Sequence, residues 1–189
     1  MTKSSLLPVV VFAVLLTACA GGPSRIVSDQ PVDNAILGAT LCCPVSEAAV
    51  LRAFDQAGMG DISAEHYHYG SISGLRAVPS SDDGILFAGC FWDYVDYEKD
   101  ASDDLFAIVF ENSYKTKAQA MSQYKKVAGL METKHGESNI SKSKGSCTSM
   151  WTDNTNSVGV SVHKDKPRNP RGKWTCTFYY VNINLYQSL

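Results

Sequence analysis

The groups in this 189-residue chain that could do chemistry are six cysteines, two histidines two positions apart, a mid-chain run of acids and a late run of cations. His66 and His68 would face one side of a strand, a spacing that suits zinc or copper. No third ligand lies near them, His135 and His163 being remote, so they read as an exposed strand face. Asp93, Asp96, Glu98, Asp100, Asp103 and Asp104 lack the spacing and central glycine of an EF-hand and read as a solvated turn. There is no G-x-S-x-G, phosphate loop or dinucleotide fingerprint, and "GCFWD" is not a cysteine-protease pattern. No catalytic residue, metal ligand or cofactor is assigned, and the reading leans away from an enzyme.

The cation run is denser. Lys164, Lys166, Arg168, Arg171 and Lys173, with Pro167, Pro170 and the adjacent Trp174, are anion-binding candidates. Such a set can grip a phosphorylated polymer or a lipid headgroup. A solvated, proline-stiffened loop is the competing reading. Nothing in the chain points to nucleic acid.

Cys19 stands at the end of an apolar run. Lys3 gives a small positive start, and Leu6–Ala18 is apolar or small apart from Pro8 and Thr17. That run is shorter than the ~20 residues of a spanning helix and suits a signal peptide over residues 1–18. Leu16-Thr17-Ala18-Cys19 resembles the bacterial lipobox. The resemblance implies cleavage before Cys19, a diacylglycerol on its thiol and a further acyl chain on the new N-terminus. Ala20 then implies an outer-membrane location, the domain facing the periplasm. A thiolate is the side chain best able to take up the lipid, and two or three chains hold a protein where one does not. Ordinary cleavage after Ala20, by the A-x-A rule, is the alternative.

Residues 19–34, rich in Gly, Pro, Ser and Asp, read as a tether, and residues 35–189 as one domain. Up to Asp104 the mature chain carries 14 acidic and 4 basic residues; from Leu105 onward it carries 5 and 12. The simplest use of that polarity is mutual attraction of the two halves. No internal repeat stands out.

With Cys19 acylated, five disulfide candidates remain: Cys42, Cys43, Cys90, Cys147 and Cys176. Export favours disulfides, and an odd count leaves one thiol over. If the last three strands form a meander, a whole strand separates Cys147 from Cys176. That puts their Cα atoms about 9.5 Å apart, beyond the ~7 Å a bridge allows. Cys42 or Cys43 is then expected to pair with Cys90.

The elements that must position these groups follow from periodicity. Ser46 as N-cap and Val50, Leu51, Phe54 and Ala57 as a stripe predict a helix ending near Gly58. Thr116 and Gln119 form a capping-box pattern before a second helix that closes at Gly136. Its inner face should be Ala120, Met121, Tyr124, Val127, Ala128 and Met131. Strands are expected at 66–72, 84–97, 105–111, 147–152, 157–164 and 173–186. The class is α+β: two helices on an antiparallel sheet, in the order helix, strands, helix, three-strand meander.

"ILGATLCCPVSEAAVLRAFDQAG" is similar in rhythm to the opening of small helix-on-sheet outer-membrane lipoproteins and of secreted β-lactamase-inhibitor proteins. The likeness covers residues 36–58, lacks their Gly-Met-Ser/Thr helix start and Leu-Gly-x-Pro stop, and brings no function. The sequence therefore describes a lipid-anchored envelope protein, held to the membrane by acyl chains and acting as a binding or assembly-support module on an envelope protein or anionic polymer. The alternative is a small hydrolase-like periplasmic enzyme whose site assembles from distant residues.

Overall fold

The computed structural model describes residues 28, 30–59, 61–69, 72–80, 84–143, 145–164 and 173–187. Helix α1 (Glu47–Gln56) is capped by Ser46, whose hydroxyl accepts from Ala49 N at 3.3 Å. Val50 and Phe54, about one turn apart, are buried, while Leu51 is half-buried and Ala57 is exposed past the last turn. Helix α2 (Lys117–His135) opens with the expected capping box: Gln119 N donates to Thr116 Oγ1 and Thr116 N to Gln119 Oε1. Two N–H groups with no intrahelical partner are satisfied in this way. Gly136, at φ 78°, stops the helix in a conformation that favours glycine. Its buried face is the expected one, with Met121 at the border and Gln123 and His135 added.

Twelve strands are described: β1 (Ala35–Ile36), β2 (Ala39–Thr40), β3 (Ile62–Tyr69), β4 (Ile72–Pro79), β5 (Ile85–Phe87), β6 (Cys90–Trp92), β7 (Tyr94–Lys99), β8 (Leu105–Tyr114), β9 (Asn139–Ser143), β10 (Ser146–Thr152), β11 (Asn156–Lys164) and β12 (Trp174–Asn182). Eight form one antiparallel sheet in the order β3-β4-β7-β8-β12-β11-β10-β9, and β1-β2 and β5-β6 are separate hairpins. A helix followed by four main-sheet strands thus occurs twice. The units join through their last strands, β8 and β12, in a register from Trp174 opposite Tyr114 to Val181 opposite Ala107. The acidic and basic halves of the chain meet one strand earlier, where β7 pairs with β8 from Tyr94 opposite Glu111 to Lys99 opposite Leu105.

Both long helices cover one face of the sheet. Val50, Phe54, Ala120, Tyr124 and Val127 share a core with Leu75, Val95, Tyr97, Phe110, Val160 and Phe178. On the other face, Leu185 and Tyr186 of a short helix α3 (Ile183–Gln187) pack near Phe106, Val109, Met150, Tyr179 and Val181.

The α+β class holds, with several corrections. The last meander has four strands, because β9 precedes it. The strand expected at 66–72 is two strands, and the stretch 84–97 breaks into β5, β6 and β7 at Ala88–Gly89 and Asp93. The last strand stops at Asn182 and turns into α3. Packing also starts before Ala35: Ser28 N donates to Thr152 O and Val32 N to Asp153 Oδ2, both at 2.8 Å, and Val32 is buried. Lys134 pairs with Asp33. The expected signal segment, residues 1–18, and Cys19 lie outside the described residues.

Candidate functional site: a basic groove and a buried acidic cluster

At the N-terminus of α2 the helix, β9, β10, β11 and β12 enclose a cavity of about 240 Å³. Its wall carries Lys117 from the first turn of α2, Lys142 and Ser143 from β9, Ser146 and Cys147 from β10, and Trp174 from β12. The Lys117 ammonium lies 5.3 Å from the centroid of the Trp174 ring, within range of a cation–π attraction. No acidic residue stands in the first turn of α2, so the partial positive charge of that terminus is not neutralised within the turn. Lys164 is the register partner of Trp174, and both Lys164 and Lys173 are exposed beside it.

Of the five cations singled out from sequence, Lys164 and Lys173 adjoin Trp174 but do not line the cavity, the Lys173 charge acting on Asp93, while Lys166, Arg168 and Arg171 lie outside the described residues. Lys117 and Lys142 were missed, because only the packing of α2 over β10, β11 and β12 brings them to one cavity. Lysines act on phosphate as point charges, and the Ser143 and Ser146 hydroxyls, bonded at 2.6 Å, add neutral donors. The Cys147 thiol donates to Tyr124 Oη at 3.3 Å. Burial pushes the Tyr124 hydroxyl up to about 12.

The face away from the long helices holds a second constellation. Alternation along β7 sends Val95 and Tyr97 into the core and Tyr94, Asp96 and Glu98 to the other side. Asp96 and Glu98 are only 5% and 3% exposed, which corrects the solvated-turn reading for both. Asp100 and Asp103 do make a turn, Asp100 Oδ1 accepting from Ser102 N and Asp104 N. Arg76 on β4 grips Asp96 with two bonds of 2.6 Å, and its guanidinium sits 3.9 Å from the Tyr94 ring centroid. Tyr94 Oη donates to Glu111 Oε1 at 2.6 Å.

Glu98 is the register partner of Gly74, on which the Tyr67 ring lies. Among the described residues, Glu98 Oε2 and Tyr67 Oη are buried without a hydrogen-bond partner. Burial, then the Asp96 and Glu111 charges, hold the Glu98 carboxyl well above the usual glutamate range. Burial also raises Asp96, although Arg76 pulls it back. Burial works against the charge on Arg76, but the bond to Asp96 more than restores it. Arg76 is thus bonded to Asp96, and burial together with the Asp96 and Glu111 charges favours the protonated form of Glu98.

The histidine pair stays an outward feature: His66 and His68 are exposed, and His66 Nε2 lies 3.5 Å from Glu47. The structure draws no bond between any two of the five described cysteines. Cys42 and Cys43 are exposed where the chain bonds to Leu105, Cys42 N donating to Leu105 O and Leu105 N to Cys43 O. Cys90 instead belongs to the hairpin whose Phe87 stacks on Phe110. At about 3.3 Å per residue along β8, these points are on the order of 16 Å apart, which corrects the expected pairing of Cys42 or Cys43 with Cys90. Val162 is the register partner of both Cys147 and Cys176, so a full strand separates those two.

Comparison with protein-family models, curated proteins and solved structures finds no match for this chain.

Proposed function

We propose that the chain is a lipid-anchored envelope protein, held by acyl chains on Cys19 at the periplasmic side of the outer membrane, that binds phosphate-bearing partners through the basic groove. The observation that carries this reading is the gathering of Lys117, Lys142 and Trp174 around one cavity at a helix N-terminus with no acid in its first turn, with Lys164 opposite Trp174 in the ladder. The phosphates belong to a lipid headgroup or to a phosphorylated envelope polymer. Sedimentation with phosphatidylglycerol vesicles, with neutral vesicles and with soluble polyphosphate separates the two sources. Salt-sensitive binding to either anionic material is expected; equal sedimentation with neutral and anionic vesicles, and no uptake of polyphosphate, sinks the proposal.

A second reading is favoured by one observation, the burial of Glu98 in the cluster of Tyr67, Arg76 and Asp96, where its protonated form is favoured. A buried carboxylic acid of this kind can serve as a general acid in a small hydrolase. Turnover of chromogenic ester or glycoside substrates that survives Lys117→Ser and is lost in Glu98→Gln would favour it. Absence of turnover across both panels would remove it.

A further inference from the structure

The β5-β6 hairpin is seated on the central strands of the sheet. Phe87 stacks on Phe110 with ring centroids 4.4 Å apart and lies 6.2 Å from Phe178. Trp92, at the far end of β6, is 5.9 Å from Phe110 and 6.0 Å from Phe178. The backbone between them is also fixed: Phe91 O accepts from Asn112 Nδ2 at 2.9 Å and from Gln123 Nε2 at 3.2 Å. Cys90 stands in the middle of this clamp, paired with Phe87 across the hairpin and followed by Phe91. Its side chain is buried in the same core as Cys176. Cys176, in turn, is the register partner of Asn112 and lies two residues before Phe178 on β12. The residues that flank Cys90 thus touch those that flank Cys176.

We propose that Cys90 and Cys176 close a disulfide that fastens the hairpin to β12 and so joins the two four-stranded units covalently across their seam. The electrostatic influence of each thiol on Tyr114, and of Cys90 on Cys176, fits that proximity. The other three cysteines have no such neighbour: a strand separates Cys147 from Cys176, and Cys42 and Cys43 lie at the other end of β8.

In the reaction each thiol gives up a proton, the two sulfurs bond, and two electrons pass to an oxidant disulfide, which leaves as two thiols. The natural oxidant rests on the exported location proposed above; the chemistry of the pair does not. Because Cys90 is 6% and Cys176 0% exposed, the oxidant acts before the hairpin seats, during folding.

The test refolds the reduced, unfolded full chain, carrying Cys19→Ala so that no lipid intervenes, with and without oxidised glutathione. Peptide mapping without reduction should show one fragment joining Cys90 to Cys176, lighter than its parts by two hydrogens. The oxidised protein should also melt at a higher temperature than the reduced one, since the bridge closes a long loop. In Cys90→Ala, Cys176 should become alkylatable on unfolding, and the reverse should hold in Cys176→Ala. If either variant fails to fold, the wild-type map alone decides. A map in which both sulfurs stay alkylatable after oxidative refolding, or in which either joins another cysteine, overturns the proposal. Since the oxidant is supplied in the tube, that failure would leave the lipoprotein reading untouched.

Discussion

The Lys117 ammonium lies 5.3 Å above the ring of Trp174, a residue 57 positions further along the chain. This contact makes Trp174 a reporter for the groove, since an anion that draws Lys117 away changes the ring's surroundings. Titration with polyphosphate should shift Trp174 emission, and Trp174→Phe should abolish the shift while leaving the other tryptophans silent. A cation near an anionic surface contributes about 1 kcal/mol at most, roughly a fivefold change in affinity. Lys117→Ser and Lys142→Ser should each weaken binding by up to that factor at low salt, and high salt should erase the difference. Replacing Lys166, Arg168 and Arg171 together by Ser should weaken it further without altering the melting temperature. Indistinguishable salt series for wild type and all these variants would return the cations to a solvated surface.

The anchor is tested separately. Cys19→Ala should abolish incorporation of labelled fatty acid and move the protein from the membrane to the soluble fraction. Labelling that persists in the variant, or a mature N-terminus beginning after Ala20 in the wild type, would refute lipidation at Cys19.

The two long helices were legible because local signals suffice for them: Ser46 and Thr116 cap their own turns, and the buried residues recur at helical spacing. Strands depend on partners, and three features hid them. β9 is an edge strand of polar character (Asn139, Ser141, Lys142 and Ser143), a composition that protects exposed edges and mimics a loop. β4 contains Gly74, which reads as a break but is there because the Tyr67 ring lies on it. The duplicated helix-and-four-strand order leaves no trace because a sheet demands alternation, not particular residues. Each site was legible only in part for a similar reason. Tyr94, Asp96 and Glu98 alternate with Val95 and Tyr97, a period-two signal that could have marked the acids as one sheet face, whereas nothing local links Lys117 to Lys142.

That Tyr67–Gly74 contact has a measurable consequence. A Cβ at Gly74 would come within 2.5 Å of the Tyr67 ring and 2.6 Å of the Tyr97 carbonyl oxygen. At Gly159 it would meet the Tyr179 ring at 2.3 Å, with side-chain atoms as its three nearest neighbours. A ring can tilt, but a carbonyl in the middle of a sheet cannot leave its ladder. Overpacking typically costs about 1–3 kcal/mol, so Gly74→Ala should fall near the top of that range and Gly159→Ala near the bottom. Urea unfolding of both variants checks the order; equal midpoints would show that the Tyr97 carbonyl yields as easily as a ring.

The last prediction concerns Glu98 and the direction in which pH moves stability. Its folded carboxyl titrates well above the ordinary glutamate value, because burial and the neighbouring Asp96 and Glu111 disfavour its charge. The folded state therefore holds the proton more tightly than the unfolded chain does. Below the ordinary value both states are protonated and Glu98 adds no pH dependence. As pH rises past it, the unfolded chain releases its proton first and stability falls, until the folded carboxyl also ionises and the loss levels off. Asp96 is raised in the same direction, so some slope should remain without Glu98. Glu98→Gln should match the wild type near pH ~4 and exceed it increasingly toward pH ~9, each unit of displacement being worth about 1.4 kcal/mol. Thermal melts across that range measure the difference directly. Parallel melting curves for the two proteins would mean that Glu98 finds a partner for its charge in the folded state, and the proton-holding role would fall with it.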